Sequence, residues 1–227
     1  MNILAIDSTT KKAAVSLKLD DNIILKEIDN EITHSEKLLP LVDEILTENN
    51  VKIKDIDVFY ATLGPGSFTG VRIGIATVKA LAKVLDKKII GVTSLKLMAL
   101  NHLNTKHKYI LSTLDAKNTR VYYELFEVTE NKELKETNIS GNLPYESLIT
   151  LLSESNIQDI LVVTDNSEML LNPFTSAIDS TEVISSTLDL RNVFKEEITD
   201  NNTYTYETLD AMYFRNSEAE RTRDGEK

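Results

Sequence analysis

Ile3-Leu4-Ala5-Ile6-Asp7-Ser8-Thr9-Thr10, then Ala13–Leu19 (AAVSLKL) and Asn22–Asp29 (NIILKEID), open the chain. The apolar run 3–6 predicts a buried strand ending at Asp7. The next two stretches, joined through Asp20-Asp21-Asn22, predict two more strands around a tight turn. Thr33-His34-Ser35-Glu36 has the S/T-x-x-E form of a capping box. Leu38, Leu39, Leu41, Val42, Ile45 and Leu46 follow at helical spacing and predict a helix over 34–48. A strand over Asp57–Leu63, a helix over Val71–Asp86 and a strand over Lys88–Val92 complete the order βββαβαβ.

Working outward, the second half repeats this order. Strands are predicted at Tyr109–Leu114, Val121–Val128 and about Glu133–Asn138, a helix at Tyr145–Ser155 and a strand at Ile160–Thr164. A short helix near Glu168, a strand at Glu182–Ser185 and helices at Leu188–Ile198 and Glu207–Arg215 follow, with a charged tail from Asn216. Two such halves predict a duplicated α/β protein. No Gly/Pro/Ser cluster separates them, so the junction is a short hinge near 102–107. The expected division is 1–105 and 106–227, with 205–227 either in the second lobe or packed back on the first.

Composition excludes several classes. Of 227 residues 41% are hydrophobic, enough for a core, and no apolar run reaches the ~18–20 residues of a membrane span. With no cysteine there is no disulfide or thiolate chemistry. Three histidines (His34, His102, His107) show no H-E-x-x-H spacing and no Ser-His-Asp order, so no metal is predicted. MNILAIDSTT lacks a basic n-region, and a cytoplasmic location is expected. Net charge is −11, about +2 over residues 1–110 and −13 over 111–227. An acidic half repels phosphate backbones, so stand-alone nucleic-acid binding is not expected and a partner would supply any basic surface; the plainer reading is that the acidity keeps the protein soluble.

Four of the seven glycines, Gly64, Gly66, Gly70 and Gly74, fall within eleven residues. The loop Gly64-Pro65-Gly66-Ser67-Phe68-Thr69-Gly70 lies between a strand and a helix. It reads either as a tight turn or as an anion cradle of backbone N–H groups. Asp7 and Asp115, at the ends of equivalent strands, read either as turn residues or as holders of a hydrated magnesium ion. In the following helix the polar positions are Arg72, Thr77, Lys79 and Lys83, before Asp86 at its end. More than half its girth is apolar, so it is either buried in the monomer or docked on another protein.

Leu4–Thr9, the Gly64–Gly70 loop with Arg72-Ile73-Gly74, Val92-Thr93-Ser94-Leu95, Asp115-Ala116-Lys117 with Val121-Tyr122, and Tyr213-Phe214-Arg215 occur in that order. Together they resemble the bacterial TsaB (YeaZ) family over nearly the whole chain. The resemblance implies two RNase H-like βββαβαβ lobes of the actin, sugar-kinase and heat-shock-ATPase superfamily. It also implies a non-catalytic subunit in the synthesis of N6-threonylcarbamoyladenosine in tRNA. Such a subunit pairs with the metal-containing paralogue TsaD and enables binding of the ATPase TsaE, and it homodimerises without its partner. The implied interface is Leu38, Leu41, Val42 and Ile45 on one helix, with Arg72, Ile73, Ile75, Ala76, Lys79, Ala80 and Lys83 on the other. The implied nucleotide contacts are Asp7, Ser8, Gly64, Gly66, Ser67 and Asp115. No cofactor is expected in this chain, though ATP and magnesium could act in the complex. The alternative is an ATP-using enzyme of the same fold.

Departures from the pattern bear on catalysis. Ser94 and Met98 stand where TsaD has two metal-binding histidines, and Asp7-Ser8-Thr9-Thr10 lacks the glycine of the fold's phosphate loop. Within the TsaB pattern, Lys117 replaces an arginine, Thr164-Asp165-Asn166 replaces a G-D-G turn, and Met212 replaces a proline.

Overall fold

The computed structural model describes residues 1–29 and 34–212. Within them, one compact unit takes 1–94 and 189–212, and the other takes 95–188.

In the first unit β1 (Asn2–Asp7) pairs antiparallel with β2 (Lys12–Leu19), and β2 with β3 (Asn22–Asp29). On its other side β1 pairs parallel with β4 (Val58–Thr62), and β4 with β5 (Lys88–Val92). Asp20 sits at φ +52° in the β2–β3 turn, a left-handed conformation that Asp tolerates better than most residues. Helix α1 (His34–Glu48) lays Leu38, Leu41, Val42, Ile45 and Leu46 into the core beside Leu4, Ile6, Val15 and Leu17. Each such side chain, fully buried, contributes about 1.5–3 kcal/mol. On its outer side, Lys26 of β3 bonds both Glu44 and Glu48 of α1. Thr33, the first residue of the capping box, lies outside the described residues.

Helix α2 (Phe68–Leu85) begins three residues earlier than periodicity alone indicates, because Ser67 caps it by accepting the Gly70 N–H. Asp86, left-handed at φ +52°, ends it.

The second unit repeats the plan with β6 (Tyr109–Asp115), β7 (Arg120–Val128), β8 (Leu134–Pro144), α4 (Tyr145–Glu154), β9 (Ile160–Thr164), α5 (Ser167–Ala177) and β10 (Glu182–Ser185). The sheet order is β10-β9-β6-β7-β8. Alternation along the strands makes two cores, one per face. Leu111, Val121, Leu125 and Val162 meet Leu148 and Leu152 of α4 and Leu170 and Phe174 of α5. Ile110, Phe126, Leu161 and Val163 meet Leu95, Met98 and Ala99 of α3 (Ser94–Leu100). These are the two RNase H-like halves expected from the sequence.

Three expectations are corrected. The second lobe does not keep 189–212: β11 (Thr203–Tyr204) pairs antiparallel with β5, extending the first sheet to β11-β5-β4-β1-β2-β3. Leu188–Ile198 is not a helix but a 3-10 turn over Leu190–Lys195. Asp189 caps it, accepting from the Arg191 N–H, and Glu196 returns to extended backbone. From 207 to 212 there is no helix, since the Thr205 and Thr208 hydroxyls take the local N–H groups a helix would need. Residues 213–215 lie outside the described residues.

Candidate functional site

Asp7 ends β1 fully buried. Its Oδ1 accepts the Thr9 N–H at 3.1 Å and the Thr9 hydroxyl at 2.7 Å, an Asx turn. The glycine loop is pressed onto this turn. Ser67 N–H donates to the Thr9 carbonyl at 2.7 Å, and the Ser8 hydroxyl donates to the Gly70 carbonyl at 2.7 Å. A Cβ on Gly66 would stand 2.3 Å from the Thr9 oxygen, and one on Gly70 1.9 Å from the Ser8 oxygen. Asp7, Ser8, Gly66 and Ser67 are thus brought together with Gly70, but as a closed backbone contact. The amides of Ser67 and Gly70 are already committed, and the Thr9 and Ser8 carbonyls lie directly against Gly66 and Gly70. This geometry lends no support to the anion-cradle reading or to the ATP-using alternative. Gly64 joins the same knot, its carbonyl accepting the Ser94 N–H at 2.8 Å.

Asp115 has partners of its own in the second unit. Its N–H donates to Asp165 Oδ1 at 2.8 Å, its Oδ1 accepts the Lys117 N–H at 2.7 Å, and Lys117 Nζ lies 3.2 Å from Oδ2. Burial, then the Asp115 charge, pushes the Asp165 carboxyl above its ordinary value. Among the described residues no three His, Cys, Asp or Glu side chains are grouped to hold a metal. No helix among them is long and apolar enough to cross a membrane.

The helices carry the clearest surface feature. Five of the interface residues predicted from sequence, Leu38, Leu41, Val42, Ile45 and Ile75, are buried in the first core and cannot meet a partner. The correction has a simple cause: the i, i+3, i+4 stripe of a helix in a small α/β unit faces its own sheet. Lys79 is half-buried, with Nζ donating to the Leu209 carbonyl at 2.9 Å. Arg72, Ala76, Ala80 and Lys83 are exposed and Ile73 half-exposed.

Together with residues the sequence reading did not single out, these make a ridge. Phe68, Arg72, Ala76, Ala80 and Val84 follow one another at i+4 along the outer side of α2. Phe68 is 41% exposed and Val84 83%, and Leu39 on α1 is 53% exposed. The Arg72 guanidinium lies 3.7 Å over the Phe68 ring. An i±4 row is the ridge that helices press into each other's grooves, and alanines at its centre permit close approach. The 68-72-76-80-84 spacing could have been found in the sequence by asking which apolar residues remain once the core stripe is assigned.

Residues 28–140 match the family model described as TsaD, tRNA N6-adenosine threonylcarbamoyltransferase. The chain is 31% identical over 157 residues to the tRNA threonylcarbamoyladenosine biosynthesis protein TsaB of Bacillus subtilis (strain 168), covering 69% of this chain and 68% of that protein. The chain belongs to the TsaB family. The Escherichia coli (strain K12) TsaB is 35% identical over 132 residues, 58% of this TsaB-family chain and 57% of that protein. That match thus spans little more than half of the relative's length. The structure of YeaZ from Pseudomonas aeruginosa superposes with a TM-score of 0.76 at 20% identity, covering 93% of this chain and 99% of that one. The chain therefore shares the fold of that YeaZ.

Proposed function

We propose that this chain is the non-catalytic scaffold subunit of the machinery that makes N6-threonylcarbamoyladenosine in tRNA, docking a TsaD-like paralogue on the outer ridge of α2. The observation that carries the reading is the exposed row Ala76, Ala80 and Val84 on a helix whose other side is wholly committed to the core. The match of residues 28–140 to the TsaD family supports a paralogous partner, because that span includes both helices and a relative would present a like surface. In the partner's absence a self-complementary patch pairs two copies of the chain. A TsaE-like ATPase binds once the pair has formed, and tRNA is met only through the assembly. The closed Asp7–Gly70 knot accords with a subunit that needs no nucleotide of its own.

Native mass spectrometry of the chain, alone and mixed with the TsaD-like protein of the same organism, tests this. Wild type is expected to homodimerise and then exchange into a heterodimer. Ala76→Arg should abolish both states while leaving thermal stability within about 0.5 kcal/mol, as for an exposed substitution. Ile73→Glu should act likewise at some cost in stability, since Ile73 also packs against the core. Normal association of Ala76→Arg would refute the interface.

A further inference from the structure

His107, just before β6, is an imidazole only 7% exposed and held between two carboxylates. Its Nδ1 lies 2.8 Å from Asp159 Oδ1 and its Nε2 3.2 Å from Glu182 Oε2. The two acids sit where neighbouring strands begin: Asp159 immediately precedes β9, and Glu182 is the first residue of β10. Asp159 also accepts the Lys108 N–H at 3.0 Å through its other oxygen, and Glu182 lies 3.7 Å from Lys106 Nζ. One side chain thus joins the starts of three strands.

An ionised carboxylate only accepts, whereas a neutral imidazole carries a single N–H. Both contacts can be hydrogen bonds only while the ring is an imidazolium with two N–H donors. We propose that His107 is a proton-operated clasp: protonated, it binds Asp159 and Glu182 together, and on losing the Nε2 proton to water it keeps Asp159, releases Glu182 and loosens β10. The shorter bond identifies which acid is kept. Strand β10 is vulnerable to the loss because it is a four-residue edge strand that, among the described residues, pairs with β9 alone, from Glu182↔Leu161 to Ser185↔Thr164. Water has a route in, since Lys106, His107, Asp159, Ser180, Thr181 and Glu182 line one open pocket. Among the described residues the Thr181 hydroxyl there has no hydrogen-bond partner.

The charged groups around the clasp come from every packed element. They are Lys106 and Lys108 before β6, Glu127 of β7 paired with Lys108 at 3.6 Å, Lys132 of the β7–β8 turn bonded to the Thr105 carbonyl, and Asp179 between α5 and β10. Of these side-chain types only imidazole ordinarily changes charge between about pH 5 and 8. The His107 bond, opposed by burial and aided by the Lys106 charge, holds the Glu182 carboxyl below its ordinary value. By linkage the Glu182 contribution is present above the ordinary carboxyl range and lost as pH falls through its lowered value.

Amide hydrogen exchange on the full chain tests the clasp at Val183–Ser185, compared at about pH 5.5 and about pH 8 after correction for the intrinsic rate. With both acids half-exposed, opening of β10 should rise about threefold between the two. His107→Gln should show the open level at both pH values, and Glu182→Gln should remove the pH dependence while keeping the fold. A flat profile in wild type overturns the proposal. So does an unchanged pH dependence in His107→Gln, which would assign the effect to His102, whose Nε2 lies 2.9 Å from the Ser186 hydroxyl.

Discussion

The turn after β1 and the turn after β6 occupy the same place in the two halves of the chain, and glycine is used oppositely in them. After β1, the chain meets a second loop backbone to backbone, and Gly66 and Gly70 are required because any Cβ would collide with the Ser8 and Thr9 carbonyls. After β6 the segment after β9, Thr164-Asp165-Asn166, meets the turn through a side chain, Asp165 Oδ1 accepting the Asp115 N–H. There Lys117, Asn118 and Thr119 run through three consecutive left-handed conformations, φ +65°, +52° and +61°, without any glycine. At Gly66 and Gly70 glycine thus follows close approach rather than backbone dihedral, whereas Gly64 sits at φ +94°. The first turn is locked by packing, and the second carries local strain held by the Asp115–Lys117 bonds and by the Tyr145 N–H donating to the Thr119 carbonyl.

The contrast can be broken most strongly at Gly70. Gly70→Ala must push a Cβ away from the Ser8 oxygen and should cost about 3 kcal/mol, read as a lowered urea midpoint. Unchanged stability would mean the knot is looser than the structure has it.

A middle-sized effect separates the buried tyrosines of the two sheets. Burial, with the Glu196 charge adding to it, pushes the Tyr60 hydroxyl up to about 12. Tyr123 is raised by burial alone. A raised tyrosine supports the fold fully below the ordinary value near 10, and that support is lost as pH rises toward its folded value. Tyr60→Phe should keep the edge-on contact with Phe194 (5.8 Å between centroids). It should flatten the loss of stability between about pH 10 and 12 by about 1 kcal/mol after solvent screening. Denaturation across that range would show it, and an unchanged slope would place the alkaline sensitivity elsewhere.

The smallest change sharpens the same lesson. Thr119→Gly removes a β-branched residue from a left-handed conformation and should stabilise by about 0.5 kcal/mol, net of the freedom glycine adds to the unfolded chain. A loss of stability in a melting experiment would show that the Thr119 side chain does more than tolerate its conformation.

The strand and helix order was legible along most of the chain because hydrophobic period is a local property: 3–6, 13–19 and 22–29 can satisfy their apolar residues only as strands on a core. The failures lie where local rules compete with tertiary ones. Residues 188–198 and 207–212 carry helical spacing, but hydroxyl and carboxylate side chains cap and interrupt them, and pairing of β11 with β5 draws that segment to the first sheet. Likewise, Leu38, Leu41, Val42, Ile45 and Ile75 read as an interface because an apolar stripe has no label for what it will face.

By itself, then, the sequence determined the duplicated βββαβαβ plan, the position of the glycine loop and, through its ordered motifs, the family. Only the tertiary structure decided that Ser8 and Thr9 pack against the loop, that the outer ridge of α2 rather than its apolar stripe is exposed, and that His107 stands between Asp159 and Glu182. The physical reason is the same in each case. Periodicity and turn chemistry act over a few neighbouring residues, whereas the Ser8–Gly70 contact and the His107–Glu182 bond join positions 62 and 75 residues apart. Such contacts exist only once the sheets have brought those residues together.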